Sequence, residues 1–310
     1  MTSKRDAMLS LLDGPPPYTP AAFFLHFPPE FKEGRASVEK HLEFFRYTGM
    51  DLVKIQYEQV FPLIPAIKQP ADWAQMPRYD RDFFAGQLEA IAGLVEAAKS
   101  EAVIVVTLYS PFMCAGHTTS TETVVQHLNE NPDAVKPGLE AITDSMLLFV
   151  RECIKLGVDG FYHSTQGGEG GRYSDPTTFE RYVRPYDLAL MEEINAACPF
   201  NILHVCDYLA PYTDFTPFLD YPGDVVSAPL HEGDQTLTPA QVSERFGRPF
   251  MGGLDRLGVL ATGTPAEVTA AAEAVLADAP ARFVFGADCT VPHNTPWENL
   301  KAAIDAAHAR

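Results

Sequence analysis

One imidazole and two thiols have the spacing with the clearest chemical meaning in this sequence. His204 and Cys206 lie two residues apart in an apolar run, and Cys289 follows a second apolar run. Alternate residues of a β-strand point to the same face, so a His-x-Cys strand directs both side chains at one point. With a third soft ligand from another strand, this set suits tetrahedral Zn²⁺ with one coordination position left open. We therefore predict a catalytic Zn²⁺ site at His204, Cys206 and Cys289.

Other polar residues also follow apolar runs and could take part in chemistry. His163 and Gln166 could orient a substrate, and Asp255, His231 or Glu232 could each supply a fourth metal ligand in the resting state. The alternative for each of these residues is a purely structural role. A histidine on a strand is often a hydrogen-bonded core residue, a buried cysteine often only packs, and loops are commonly polar.

Eight short apolar runs, separated by longer amphipathic segments, must position these residues. The predicted strands are residues 21–27, 51–57, 102–109, 160–165, 201–206, 224–228, 249–254 and 282–287. The predicted helices include residues 37–47, 81–100, 138–156, 177–197, 238–246 and 265–277. Strands that alternate with helices are typical of βα units around a parallel sheet, and eight of them predict a (β/α)₈ TIM barrel. A doubly wound sheet, which would need fewer strands, is the alternative.

The length and composition of the chain limit which class of protein it can belong to and which partners it can bind. A chain of 310 residues with 46% hydrophobic content can form one barrel, so we expect a single domain over residues 1–310. Five cysteines are an odd number, which favours free thiols or metal ligands over disulfides. Residues 1–20 are charged and then proline-rich, without the apolar run that a secretion signal needs. This pattern predicts a cytoplasmic protein. The net charge of −18 argues against nucleic-acid and membrane partners.

Four segments carry a resemblance to a known family. They are Met251-Gly252-Gly253-Leu254-Asp255, Gly157-Val158-Asp159-Gly160-Phe161, Gly286-Ala287-Asp288-Cys289 and Thr295-Pro296-Trp297-Glu298-Asn299. Together they resemble the uroporphyrinogen decarboxylase superfamily over nearly the whole chain. Within it, a His-x-Cys with a distant Cys resembles the zinc-dependent methyltransferases that act on coenzyme M or similar thiols. The cobalamin-independent methionine synthases have a similar barrel and zinc site.

At several positions this chain differs from the families that it resembles. These differences limit which activities the resemblance implies. The methionine synthases add a glutamate ligand on the strand after the His-x-Cys, where this chain has Ala228. The decarboxylases carry an arginine-rich stretch after the first strand, where only Lys32 and Arg35 are found here. Glu58 stands roughly where the decarboxylases have a catalytic aspartate. The resemblance makes Glu58 an acid–base candidate, and a polar wall residue is the alternative.

The resemblance therefore implies a zinc-dependent methyltransferase. Zinc would hold a small-molecule thiol as the nucleophilic thiolate, since a free thiol is mostly protonated at neutral pH. The methyl group would come from methyl-cobalamin on a separate corrinoid protein, because the chain has no D-x-H-x-x-G cobalamin-binding signature. A uroporphyrinogen-type decarboxylase and a non-catalytic barrel that binds a corrinoid protein are the alternatives.

Overall fold

The computed structural model describes residues 3–310, so residues 1 and 2 of the predicted domain lie outside it. Seven parallel strands form one curled sheet in the order β1-β2-β3-β4-β5-β8-β9, and β6 and β7 pair as a separate antiparallel hairpin. The strands are β1 (Leu52–Ile55), β2 (Val103–Tyr109), β3 (Gly160–Thr165), β4 (Ile202–Val205), β5 (Val225–Ser227), β6 (His231–Glu232), β7 (Gln235–Thr236), β8 (Phe250–Leu254) and β9 (Phe283–Ala287).

Helices follow the strands and cover the outside of the sheet. They are α1 (Lys4–Ser10), α2 (Gly34–Thr48), α3 (Ala85–Ala98), α4 (Pro111–Thr118), α5 (Thr121–Glu130), α6 (Pro132–Leu156), α7 (Thr178–Tyr182), α8 (Arg184–Ala197), α9 (Pro239–Phe246), α10 (Val259–Thr262), α11 (Pro265–Ala277) and α12 (Trp297–His308). Three short 3₁₀ helices span Pro29–Phe31, Pro70–Gln75 and Thr216–Phe218. Within residues 3–310, no helix has the length and apolar character that crossing a membrane requires.

A segment near residue 21 joins the two edges of the sheet into a barrel. On the β9 side, the Phe285 amide donates to the Pro20 carbonyl at 2.8 Å, and the Ala22 amide donates to the Phe285 carbonyl at 2.9 Å. On the β1 side, the Asp51 amide donates to the Ala21 carbonyl at 2.9 Å. The fold is therefore a parallel α/β barrel, as the sequence predicts, rather than an open doubly wound sheet.

The first predicted strand, residues 21–27, is the one strand prediction that needs correction. Only Ala21 forms a bridge, to Phe285, and the remaining residues have no strand pairing. The Phe24 carbonyl instead accepts a hydrogen bond from the Val291 amide in the loop after β9. The segment is nevertheless buried from Ala21 to Leu25, which explains why its sequence has the composition of a strand.

Helix α1 closes the amino-terminal end of the barrel. Its Ala7 and Met8 are fully buried. Arg5 makes two hydrogen bonds of 2.6 Å to the carboxylate of Asp159, the residue before β3. The opposite end, where the strands finish, stays open to form a cavity.

Candidate metal centre

The cavity lies at the carboxyl ends of the strands and has a volume of about 590 Å³. Its wall combines the predicted metal ligands with cationic and aromatic side chains from most of the barrel. The lining includes His26, Lys54, Tyr109, His117, Tyr162, Gln166, His204, Cys206, Arg256, Cys289 and His293. A cavity of this size suits a small organic molecule.

The three predicted metal ligands converge on one side of this cavity. His204 lies on β4, Cys206 follows β4, and Cys289 lies two residues beyond β9. Their ligand nitrogen and sulfur atoms all lie within 4.8 Å of one another, and all three residues are buried. The strand alternation that suggested this pairing in the sequence therefore does bring the groups together.

The orientation of His204 is that of a metal ligand. Its Nδ1 lies 3.3 Å from the Ser227 carbonyl oxygen and 3.2 Å from the Ser227 hydroxyl, on the neighbouring strand β5. Its Nε2 is buried and has no hydrogen-bond partner among the described residues. A hydrogen bond from Nδ1 to a carbonyl leaves the lone pair on Nε2, which is the usual arrangement of a histidine that binds metal.

The thiols of Cys206 and Cys289 shift each other's pKa in opposite directions. A hydrogen bond from Cys289, together with the nearby His204, holds the pKa of the Cys206 thiol well below its usual range. The same hydrogen bond and burial raise the pKa of Cys289. The side-chain amide of Gln166 donates to the Cys206 sulfur at 3.3 Å, which also favours the thiolate. A buried nitrogen lone pair beside a thiolate and a thiol is a donor set that fits Zn²⁺.

Lys54 places a basic side-chain nitrogen beside the sulfurs, and this residue was not predicted from the sequence. The residue is 5% exposed, and its Nζ lies 3.7 Å from the centre of the Phe24 ring and 4.4 Å from that of Tyr162. It donates a hydrogen bond to the side-chain oxygen of Gln56. Burial lowers the pKa of Lys54 to about 7, although Cys289, Glu58 and Cys206 raise it. The signal in the sequence is a lysine within a buried apolar strand.

Two of the predicted polar residues, His163 and Asp255, do not line the cavity. Tyr162, Ser164 and Gln166 face it from β3 and the residue that follows, so the side chain of His163 points to the other face of the strand. Burial lowers the pKa of His163 to about 3. Asp255 accepts a hydrogen bond of 2.8 Å from the Leu257 amide in an exposed turn. The structure brings neither residue to the three metal ligands.

The candidates His231 and Glu232 also lie away from the metal ligands. His231 is exposed on the β6–β7 hairpin, where its Nδ1 lies 3.3 Å from the Thr236 hydroxyl. Glu232 pairs with Arg245 at 2.7 Å. Both side chains thus have local structural partners.

A comparison of the sequence with models of protein families identifies the family to which this chain belongs. The family model for uroporphyrinogen decarboxylase matches residues 47–310. The chain belongs to the uroporphyrinogen decarboxylase family. The match covers every strand of the barrel and all three candidate metal ligands.

Two proteins from Methanosarcina mazei are similar to this chain in sequence. A methylated-thiol–coenzyme M methyltransferase is 23% identical over 250 residues, which are 78% of this chain and 63% of that protein. The methylcobamide:CoM methyltransferase MtbA is 24% identical over 225 residues, which are 71% of this chain and 62% of that protein. The chain thus matches slightly less than two thirds of the length of each relative.

Solved structures share the fold of this family member. A methyltransferase from Methanosarcina mazei superposes with a TM-score of 0.76 at 16% identity, over 99% of this chain and 98% of that one. A putative vitamin-B12-independent methionine synthase from Listeria monocytogenes gives a TM-score of 0.59 at 12% identity, over 96% of this chain and 98% of that one. A B12-independent methionine synthase from Shewanella gives 0.52 at 14% identity, over 94% of this chain and 96% of that one.

Glu58, the acid–base candidate that the family resemblance supplied, lies behind the cavity wall and does not line it. Its carboxylate oxygens lie 2.8 Å from Nδ1 of His26 and 2.8 Å from Nζ of Lys32. Burial raises the pKa of Glu58, but the hydrogen bonds and charges of His26 and Lys32 outweigh it and leave the pKa below its usual value. His26, which was not among the candidates predicted from the sequence, is the member of this group that lines the cavity.

Proposed function

We propose that this member of the family is a zinc-dependent methyltransferase that forms or cleaves the bond between a methyl group and a thiol sulfur. The observation that carries the proposal is the convergence of His204, Cys206 and Cys289 within 4.8 Å of one another. Three protein ligands leave one position for a substrate sulfur. When bound, zinc would hold that sulfur as a thiolate, the form that attacks a methyl group.

The residues around the three ligands would prepare the site for this chemistry. Ser227 holds the ring of His204 with Nε2 free, and Gln166 donates to the Cys206 sulfur. Lys54 would offset the negative charge that a third sulfur brings into a buried site. Tyr162, whose ring centre lies 4.9 Å from that of His204, keeps water from one side of the ligand.

A methyl-corrinoid on a separate protein is the donor that we propose. The sequence has no D-x-H-x-x-G signature, and the cavity of about 590 Å³ is smaller than a corrinoid. The corrinoid would therefore meet the thiol at the cavity mouth. The word methylcobamide in the name of one relative supports the same assignment.

A decarboxylase of the porphyrinogen type is less well supported, because the cations that a polycarboxylate needs are already occupied. Lys32 pairs with Glu58 at 2.8 Å, and Arg35 pairs with Glu39 at 2.7 Å on the surface. Arg256, which lines the cavity, pairs with Asp288 at 2.8 Å. Among the lining residues, Lys54 is the cation whose nitrogen lacks a carboxylate partner.

Metal content and methyl transfer test the proposal. Protein expressed with ample zinc should contain about one zinc per chain, and Cys289→Ser should lose most of it, because two ligands bind zinc far more weakly than three. The wild-type protein should move the methyl group of methylcobalamin to a small thiol such as 2-mercaptoethanol, as measured by the spectrum of the demethylated corrinoid. Cys289→Ser should lose at least about 100-fold of this rate.

Cys198→Ser is the matched control. Cys198 is a buried free cysteine at the end of α8 and is not one of the three grouped ligands. This variant should keep both zinc and activity. A wild-type protein that folds without zinc under zinc-replete expression, or a Cys289→Ser variant that keeps its zinc, would refute the proposed function.

A further inference from the structure

His26 lines the same cavity as the three candidate metal ligands. It follows the segment that closes the barrel, and the backbone bond from Val291 to Phe24 ties this segment to the loop that carries Cys289. Gln56, which follows β1, lies 3.4 Å from the Thr290 hydroxyl of that loop. His26 is therefore fixed in the sector of the rim that contains Cys289.

The ring of His26 is held from behind by a carboxylate. Nδ1 lies 2.8 Å from Oε1 of Glu58, a side chain that is only 6% exposed. Glu58 itself is fixed, because Oε2 binds Lys32 at 2.8 Å and its backbone amide donates to Gln87 at 2.9 Å. A proton on Nδ1 leaves the lone pair of Nε2 on the edge of the ring that faces away from Glu58, toward the cavity.

A thiol that is to become a nucleophile must lose its proton inside this cavity. We propose that His26 is the catalytic residue that accepts this proton and that Glu58 is the positioning residue that orients it. The S–H bond breaks, the sulfur keeps the electron pair, and an N–H bond forms at Nε2 of His26. The imidazolium that results lies between the new thiolate and the carboxylate of Glu58. This inference rests on the proposed function and adds the destination of the proton.

The other basic groups that line the cavity are less suited to this task. Burial lowers the pKa of His117, whose Nδ1 has no partner among the described residues. His293 is exposed. The Nζ of Lys54 already donates to Gln56 and lies against two aromatic rings. Among these residues, His26 is the one with a carboxylate bonded to the ring nitrogen opposite its free edge.

The proton balance of thiol binding tests the inference without measuring turnover. Zinc-loaded protein is titrated with 2-mercaptoethanol by calorimetry at pH 7.5 in two buffers of different ionisation enthalpy, which gives the protons released per thiol bound. The wild-type protein should retain much of the proton, and His26→Gln should release more, by about half a proton or beyond. Glu58→Gln, which keeps the imidazole but removes the carboxylate, should fall between them. His231→Gln, at an exposed histidine that does not line the cavity, should match the wild type.

Each outcome has a defined meaning. Equal proton release from the wild type and His26→Gln, with thiol binding intact in both, would overturn the role of His26 and leave the proposed function standing. The same increase in Lys54→Met but not in His26→Gln would also overturn it. No thiol binding by the wild-type zinc protein would refute the proposed function itself. If His26→Gln binds no thiol, a proton release from Glu58→Gln that exceeds that of the wild type supports the inference, and a release equal to the wild type overturns it.

Discussion

At the scale of single residues, Lys54 sets the charge of the candidate site. Two cysteine sulfurs and a substrate sulfur would together carry more negative charge than one zinc ion balances. Lys54 is buried beside them and has no carboxylate of its own. Such a cation favours binding of the ionised thiol over the neutral one.

Lys54→Met should therefore weaken thiol binding to the zinc-loaded protein. The variant keeps a side chain of similar length and removes the charge. A charge pair in a partly screened site contributes on the order of 1–4 kcal/mol, so the dissociation constant should rise about fivefold or more. A titration with 2-mercaptoethanol measures it. Lys301→Met, which removes a surface lysine paired with Asp305, should leave the constant unchanged. An unchanged constant in Lys54→Met would contradict this role.

The sequence was sufficient to predict that the three candidate metal ligands converge, but not which residues surround them. His204 and Cys206 could be predicted because strand alternation places them together whatever the rest of the fold does. The role of His26 depends on Glu58, 32 residues away, and on which of the two side chains lies nearer the cavity. Loop packing determines which of the two side chains lies nearer the cavity, and no local sequence pattern predicts it. The family resemblance therefore predicted Glu58, whereas His26, which lies between Glu58 and the cavity, was not predicted.

At the scale of elements, the later strands and helices could be predicted because each is a short apolar run or an amphipathic stretch with clear limits. Helix α11 has the predicted bounds, since Thr264 caps its start and Asp278 follows its end. The predicted helix at 177–197 is instead two helices, α7 and α8, which meet at Val183. Pro185 causes the break, because proline cannot donate the backbone hydrogen bond that a continuous helix needs there.

Helix α6, in contrast, continues through a proline and is longer than predicted. The predicted helix begins at residue 138, after Pro137, but α6 begins at Pro132 and continues through Pro137. Pro137 lies inside the helix, where it cannot donate a backbone hydrogen bond to the carbonyl of Asp133, and Asn131 caps the start. Helices α4 and α5 were not among the predicted helices, because both are short and lie directly after one another.

A buried carboxyl connects α8 to β3 and gives the fold a pH dependence. Asp187 accepts hydrogen bonds from the Thr165 hydroxyl and from the Tyr221 hydroxyl, the latter at 3.3 Å. Burial raises the pKa of Asp187 to about 7. The folded state therefore binds this proton more tightly than the unfolded state does. Its contribution to stability falls as the pH rises from about 4 towards 7 and above.

Asp187→Asn should stabilise the protein, and more so at pH 8 than at pH 5. Asparagine keeps an acceptor for Thr165 and removes the buried charge. The gain at pH 8 should be on the order of 1–4 kcal/mol, which is the free energy of a shift of up to three pKa units. Urea unfolding at the two pH values measures it. Asp234→Asn, at an exposed position, should show no such difference. An equal gain at both pH values would contradict a titrating Asp187.

At the scale of the whole molecule, the cavity with the candidate metal centre and the helix α1 lie at opposite ends of the barrel. The carboxyl ends of the strands carry the cavity, and α1 covers the amino ends. Arg5 connects α1 to the barrel through Asp159 and through the carbonyls of Lys99 and Ala102, each at 3.2 Å. The single domain predicted over residues 1–310 remains a prediction. A single cooperative unfolding transition, followed by two different probes, would agree with that.

Arg5→Leu should lower the stability of the whole barrel without altering the metal site. Asp159 is 2% exposed, and loss of Arg5 would leave Lys99 at 3.6 Å and the Ile104 amide at 2.9 Å as its partners. Breaking a buried ion pair costs about 3–5 kcal/mol, and we expect about 2–4 kcal/mol here. The lower value follows because the Arg5 side chain is 22% exposed to solvent. Urea unfolding at pH 7 measures the loss.

The double variant Arg5→Leu with Asp159→Asn should recover part of that loss, because it no longer buries an uncompensated charge. Arg46→Leu, which removes an exposed ion pair with Glu101 at 3.0 Å, should cost less than about 1 kcal/mol. Zinc content and thiol affinity of folded Arg5→Leu should equal those of the wild type, since Asp159 and Cys289 lie at opposite ends of their strands. Loss of zinc from a folded Arg5→Leu protein would show that the two ends are coupled.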